Sequence, residues 1–491
     1  MPTRLVDVGQ AGSLRIVETK PNLIHAPYAT LSYCWGGKNQ LQLTESSLED
    51  FKVEIPAWQL SFAILDAIYV VRQLKLRYLW VDSLCIIQNS KSDWEKEVIT
   101  MGEVFRNSAI TIAALGAKHS EEGLFARRDP LIYQPCNLFR RDGKDFFVKS
   151  QVDDSQFSDD WFEKSPLHQR GWVMQERALS PRTLNFGATL IWECSEGVKY
   201  EHTMDFELGT NSQDSPGNPT IKSRLHEPLK DEIAPDQTSL LFKFWREQIL
   251  KPYTMTILTV KEDRLAAISG VIESIGKSTG WESVYGLWMP FLVEELLWHK
   301  FVFVPWRGDW RHQNDKDKLG QSRLRIAPTW SWVSLDIKID FDSSSGKAPI
   351  RLFTTQVTVV SNTSILSKLG ANPWSSRLKV MSKLYPSGSA VKGRSDLFNF
   401  LVDQTSFQAT ILFDIVPSTP KPYYYLPLIA QHFPNWYRAG DGGKIRFVGI
   451  VLVTSTDFPR AYERVRYSHS YVSQTVADDL LQNELISIEL V

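Results

Sequence analysis

Two acids set among tryptophans are the residues of this 491-residue chain whose types and spacing most suggest chemistry: Asp82 in Tyr78-Leu-Trp-Val-Asp-Ser-Leu-Cys-Ile-Ile-Gln88, and Glu97 in Asp93-Trp94-Glu95-Lys96-Glu97. Two carboxylates beside one pocket can polarise a sugar hydroxyl and stabilise the cationic transition state of glycosidic-bond cleavage. Trp80 and Trp94 give them apolar surroundings, in which a carboxyl pKa rises. A plainer reading stands beside this one, in which Asp82 caps a turn and Glu97 pairs with Arg72, Arg77 or Arg106 on the surface.

Two further blocks carry reactive types. In Tyr28-Ala-Thr-Leu-Ser-Tyr-Cys-Trp-Gly-Gly37, Ser32, Trp35 and Gly36 present a hydroxyl, an indole and turn amides at the end of a strand, an arrangement able to hold the phosphate or base of a nucleotide. The block has neither the spaced glycines of a dinucleotide fingerprint nor the Gly-Lys-Ser/Thr of a P-loop, so a tight turn with a packed tryptophan is the stronger reading. In Arg170-Gly-Trp-Val-Met-Gln-Glu-Arg-Ala-Leu-Ser-Pro-Arg182, the cations Arg170, Arg177 and Arg182 suit an anionic ligand, or an internal network with carboxylates such as Glu176. The internal network is favoured. The nine histidines show no metal-ligand spacing, no Gly-x-Ser-x-Gly elbow is present, and Cys34 and Cys85 lie in apolar runs that disfavour a thiolate. No metal or cofactor is expected.

The elements that must position these groups alternate. Strand-like runs at 28–34, 78–81 and 109–114 are separated by a helical pattern from Phe62 to Leu76 and another from about Asp93 to Asn107, the latter with Trp94, Val98, Met101, Val104 and Phe105 on one face and Ser92 or Asp93 as its cap. Strand, helix and strand at these lengths predict an α/β domain with a parallel sheet and flanking helices. Short strands at 183–186 and 189–194 follow. The domain is expected over residues 1–200. A Ser-, Asp- and Pro-rich linker or mobile insertion is expected at 201–240, a helical segment at 241–335, and a β-rich domain, sandwich or irregular, at 336–491.

A formal net charge of -1 does nothing to attract nucleic acid. No apolar run reaches the roughly 20 residues of a membrane span; the longest candidate, 284–306, is broken by Glu294, Glu295, His299 and Lys300. Four scattered cysteines suit free thiols in a reducing, cytoplasmic setting better than a disulfide framework.

Taken together, the three blocks resemble the fungal heterokaryon-incompatibility (HET) domain. They are Leu31-Ser-Tyr-Cys-Trp-Gly36, Leu79 to Gln88 with Asp93-Trp94, Glu97, Met101 and Val104-Phe105, and Arg170 to Arg182 with Trp192-Glu193-Cys194. Looser matches at Asp263-Arg-Leu-Ala-Ala-Ile-Ser-Gly270, Gly286-Leu-Trp288 and Ala327-Pro-Thr-Trp-Ser-Trp332 resemble the region that accompanies many such domains. The resemblance implies a cytoplasmic protein of non-self recognition that triggers programmed cell death when genetically different hyphae fuse. HET domains are held to be distantly similar to Toll/interleukin-1-receptor (TIR) domains, a flavodoxin-like fold whose enzymatic members cleave NAD at the nicotinamide bond with a helix-borne glutamate.

On that model Glu97 and Asp82 would be catalytic, with Ser32, Trp35, Gly36, Trp94, Arg170 and Arg177 binding substrate and NAD as substrate rather than cofactor. The tryptophan-to-glutamate interval is three residues here where the plant TIR motif has four, which leaves Glu95 open as well. The expected partner is a homotypic oligomer or an incompatibility partner protein, met through residues 241–491. The alternatives are a non-catalytic assembly module and a secondary-metabolite enzyme with an aromatic-lined pocket for a small hydrophobic substrate.

Overall fold

The computed structural model describes residues 1–9, 13–22, 24–36, 40–126, 136–148, 165–201, 220–226, 235–300, 324, 326–341, 350–352, 356–359, 377–382, 384–390, 397–402, 405–413, 423–433, 444–458, 460–472 and 486–491. Most of the linker expected at 201–240 and the end of the apolar stretch at 301–306 lie outside the described residues. The chain divides into two compact units, Met1–Leu241 with Thr256–Gly280, and Phe242–Met255 with Trp281–Val491.

The first unit is built on an eight-stranded mixed sheet. Its strands are β1 (Arg4–Asp7), β2 (Arg15–Glu18), β3 (Tyr28–Ser32), β4 (Tyr78–Trp80), β5 (Ile110–Ala113), β8 (Arg182–Phe186), β9 (Leu190–Cys194) and β10 (Gly197–Tyr200), in the order β10-β9-β8-β5-β3-β4-β1-β2. A hairpin of β6 (Cys136–Arg141) and β7 (Lys144–Val148) forms a sheet of its own. The inner strands β4, β3, β5 and β8 are parallel, and β3 and β5 are buried along their whole length, as strands covered on both faces must be.

The expected parallel sheet therefore holds for the inner strands, while β1-β2 and β9-β10 extend both flanks antiparallel. Links as short as that from Phe186 to Leu190 allow no crossover, so they return the chain antiparallel. From β3 the chain winds to β4 on one side and then to β5 on the other. The carboxyl end of β3 is thus a point where winding reverses, the place where open α/β sheets leave a crevice.

Helices α1 (Leu48–Val53), α2 (Phe62–Gln73), α3 (Asp82–Cys85), α4 (Lys91–Arg106), α5 (Val173–Leu179), α6 (Ile221–His226) and α7 (Ala266–Thr279) belong to this unit. α4 starts earlier than its sequence pattern suggested. Ser90 is the N-cap residue without a side-chain cap bond, and Asp93 instead accepts from the Ile87 amide (2.9 Å) and pairs with Arg4. α4 and α7 approach closely where Gly102 meets Gly270; a Cβ on Gly102 would stand 2.9 Å from the Gly270 Cα, too close for any side chain. No helix among the described residues is long and apolar enough to cross a membrane.

In the second unit, strands such as Gln356–Val359, Leu378–Ser382, Thr405–Phe413, Lys444–Thr454 and Ala461–Val472 make up the β-rich region expected there. Six strands, Tyr385–Ala390, Leu397–Val402, Thr405–Phe413, Ala461–Val472, Lys444–Thr454 and Tyr424–Phe433, pair each with the next and the last with the first. This closed ladder is a barrel-like ring instead of a sandwich, and closure leaves those strands fewer open edges.

Among the described residues, part of the aromatic richness that suggested an apolar pocket packs in the core. Trp245, Trp288, Trp298, Trp330 and Trp332 are at most 1% exposed, and all but Trp298 meet another tryptophan or a tyrosine edge-on, as in Trp245–Trp288 at 5.5 Å and Tyr285–Trp330 at 5.8 Å. The Arg464 guanidinium, fully buried, lies 3.6 Å from the Trp298 ring centroid and donates to the Leu296 and Trp298 carbonyls.

Candidate functional site

Three parallel strands deliver their carboxyl ends to one region. β3 ends at Ser32 and runs on through Tyr33, Cys34, Trp35 and Gly36; β4 is followed by Asp82 and Ser83; and β5 is followed by the turn that carries His119 and Ser120. Arg170 and α5 close the set. A hydroxyl chain ties these elements together, Thr30 Oγ1 lying 2.7 Å from Thr111 Oγ1, which donates to Ser180 Oγ (2.7 Å) at the end of α5.

Within this frame, the Trp35 indole donates to Asp82 Oδ2 (2.8 Å), and the Ser83 amide donates to the other carboxylate oxygen (2.7 Å). The Tyr33 hydroxyl reaches Ser83 Oγ at 2.9 Å, and Ser32 Oγ donates to Glu176 Oε2 at 2.5 Å. Arg170 donates to the Tyr33 carbonyl. Gly36, at φ +80°, leaves no room for a side chain, because a Cβ there would fall 2.1 Å from that of His119. His119 in turn faces Glu122 at 3.3 Å, and Ser120 Oγ donates to the Trp35 carbonyl.

The electrostatics bind Asp82, Arg170 and Glu176 into one cluster. Burial raises the Asp82 pKa, against the pull of Arg170, the Trp35 indole, the Ser83 amide and Tyr33. Burial also pushes Glu176 up to about 7; Arg170 and the Ser32 hydroxyl oppose the shift, and the negative charge of Asp82 adds to it. A carboxyl that titrates near neutrality, beside a second acid and a half-buried guanidinium, can exchange protons at physiological pH. The Cys34 thiol beside them is pushed up chiefly by burial, with Arg170 opposing the shift and Glu176 and Glu122 adding to it, and so stays protonated.

Glu97 and Arg177 lie in other surroundings. Glu97, on the inner face of α4, is 1% exposed. Burial raises its pKa, and the groups that act on it are Thr3, Arg4, Asp93 and Lys96, none of which belongs to the cluster around Asp82. The surface pairing considered for it does not form: Arg72 donates to the Val8 carbonyl and Arg77 to Asp7. Glu95 is exposed, 3.8 Å from Lys91.

Arg177 grips Glu193 of β9 through Nε at 3.0 Å and Nη2 at 2.9 Å, the internal network that the sequence favoured. Lys222 of α6 locks the same segment by donating to the Ser180 carbonyl (2.7 Å) and Thr183 Oγ1 (2.9 Å). Arg182 is exposed. Trp94 lines a separate hollow beside Asp263.

The structure thus brings together Ser32, Trp35, Gly36, Asp82 and Arg170, and adds Glu176, which the sequence reading left in the arginine network, and His119, which it did not single out. Glu176 did carry a signal: it falls three residues after Val173 and three before Leu179, on the buried stripe of α5. His119 carried none, since only the turn after β5 sets it against Gly36. Among the described residues no group of acids, histidines and cysteines could hold a metal ion.

Neither a curated protein nor a solved structure matched the chain. Residues 28–176, the stretch that supplies every member of the acid cluster from Ser32 to Glu176, match the family model described as Heterokaryon incompatibility protein (HET).

Proposed function

We propose that this chain is a cytoplasmic effector of heterokaryon incompatibility that triggers programmed cell death after fusion with a genetically different hypha, and that its TIR-like chemistry is cleavage of the nicotinamide bond of NAD or a related nucleotide. The HET match over residues 28–176 supports the incompatibility role. The single observation that carries the chemistry is the gathering of Asp82, Arg170 and Glu176 where the winding of the sheet reverses.

Hydrolysis of this bond releases nicotinamide as a neutral leaving group that keeps the bonding electron pair. The enzyme then needs negative charge against the ribosyl cation and a base to take a proton from the attacking water. Asp82 supplies the charge. Glu176, with its pKa at about 7, is the base, and Arg170 offers a guanidinium to the pyrophosphate. On this reading Glu97 supports α4 and takes no part in the chemistry, in contrast to the role that the TIR resemblance alone would give it.

The test is to incubate the purified chain with NAD and follow nicotinamide, alongside induced expression in a fungal host scored for viability. Release that is lost in Glu176→Gln and kept in Glu97→Gln is expected; equal rates for Glu176→Gln and wild type would remove the assignment.

A second reading, non-catalytic homotypic assembly, has its own support in apolar surface left open on the first unit. Trp58 is 84% exposed, and Phe62 and Tyr69 of α2 (58% and 57%) lie near Phe125 (49%), which meets Tyr69 edge-on at 6.0 Å. Light scattering over a concentration series, with killing unchanged in Glu176→Gln, would favour this reading.

A further inference from the structure

Outside the acid cluster, the first unit has a hollow of about 430 Å³ whose lining includes Gln88, Asn89, Lys91, Trp94, Val260 and Asp263. Its volume falls within the roughly 300–1,000 Å³ typical of small-molecule sites. The half-buried Trp94 ring and the half-exposed Val260 give it apolar walls suited to a flat ring.

The polar groups around those walls are of complementary kinds. The Asp263 side chain accepts from Trp172, and a carboxylate has further lone pairs for a donor such as an exocyclic amine. Asn89 accepts from the Glu45 amide through Oδ1 (2.9 Å), which turns its NH₂ to donor duty toward a ring nitrogen. Lys91, exposed at the rim and 3.8 Å from Glu95, is placed to meet an anion.

The walls are joined to the acid cluster at both ends. Gln88 donates to the Asp82 carbonyl at 3.0 Å, and Trp172, which Asp263 holds, stands two residues after Arg170.

We propose that this hollow is a binding site for a purine nucleoside monophosphate, with the base against Trp94, its amine edge at Asp263 and its phosphate at Lys91. The assignment goes beyond the reaction proposed above and does not require it. A chain that binds AMP but releases no nicotinamide keeps this site and loses that reaction; the converse result does the reverse.

Calorimetric titration of the full chain with AMP, adenosine and ribose 5-phosphate tests it. AMP should bind, adenosine more weakly, and ribose 5-phosphate not at all. Trp94→Ala should weaken AMP by roughly 5- to 150-fold, the range of base stacking on an aromatic ring. Trp94→Phe, which keeps a ring and guards against a folding defect, should retain most of the affinity. Lys91→Gln should weaken AMP and leave adenosine unchanged. No heat from AMP, unaltered AMP affinity in Trp94→Ala, or ribose 5-phosphate binding as tightly as AMP would each overturn the proposal.

Discussion

Two buried charge networks grow from the same thirteen-residue block, Arg170 to Arg182, and they are opposites. Arg177 and Lys222 hold Glu193, which stays below the usual carboxylate range although burial pushes it up, because the two cations outweigh that push. Arg177 binds it bidentately, and Lys222 gives its protons to two carbonyls and a hydroxyl. This network is fixed by hydrogen bonds at both ends and keeps Glu193 ionised, although burial lowers the Lys222 ammonium to about 8.

The other network shares one guanidinium, Arg170, between two acids, and it leaves Glu176 poised near neutrality. The difference shows how a dense cationic motif divides its labour: one arginine is consumed in fastening helix to sheet, and another is left facing groups that change charge.

The contrast is open to attack at several points. The largest effect is expected from Glu176→Gln, which keeps the shape of the side chain and the acceptor for Ser32 but removes the base. Nicotinamide release should fall by about 10²- to 10⁴-fold while the thermal midpoint shifts little. If the two fall together, the cluster is scaffold and the contrast fails.

Next comes Glu193→Ala, which leaves Arg177 and Lys222 without their carboxylate. Chemical denaturation should show a loss of about 3–5 kcal/mol, the cost of breaking a buried pair from one side.

The third effect is in pH dependence. Glu176 binds its proton more tightly in the folded chain, at about 7, than at its ordinary 4.5, so its contribution is fully present below 4.5 and declines as pH rises toward 7. Stability measured from pH 4.5 to 7.5 should decline less steeply in Glu176→Gln than in wild type.

The smallest effect is expected from Glu97→Gln. Gln keeps the size and shape of this buried side chain, which lies apart from the acid cluster, so stability should move by less than about 1 kcal/mol. Nicotinamide release should not change. A large loss of release would restore Glu97 to the site and break the division drawn here.

Much of the first unit was written in local pattern. The apolar periodicity from Phe62, the uncharged run Ala109 to Ala114 and the Trp94-Val98-Met101-Phe105 stripe each pointed to an element found within a few residues of its expected place. Burial and repeat spacing act over one element, so one element's residues suffice to read them. The start of α4 was less legible because Asp93, a good capping type, is drawn away by Arg4, a partner 89 residues distant.

What the chain's own sequence determined was which blocks would lie at strand ends and which residue types they would bring: acids at 82 and 97, arginines at 170 and 177, a hydroxyl at 32. Only the tertiary structure decided which of them meet. Glu97 and Glu176 are both glutamates on buried helix faces, yet one faces Arg4 and the other faces Ser32, Asp82 and Arg170. The reason is geometric: a helical stripe says that a side chain turns inward, while the order in which parallel strands are laid beside β3 fixes what it finds there.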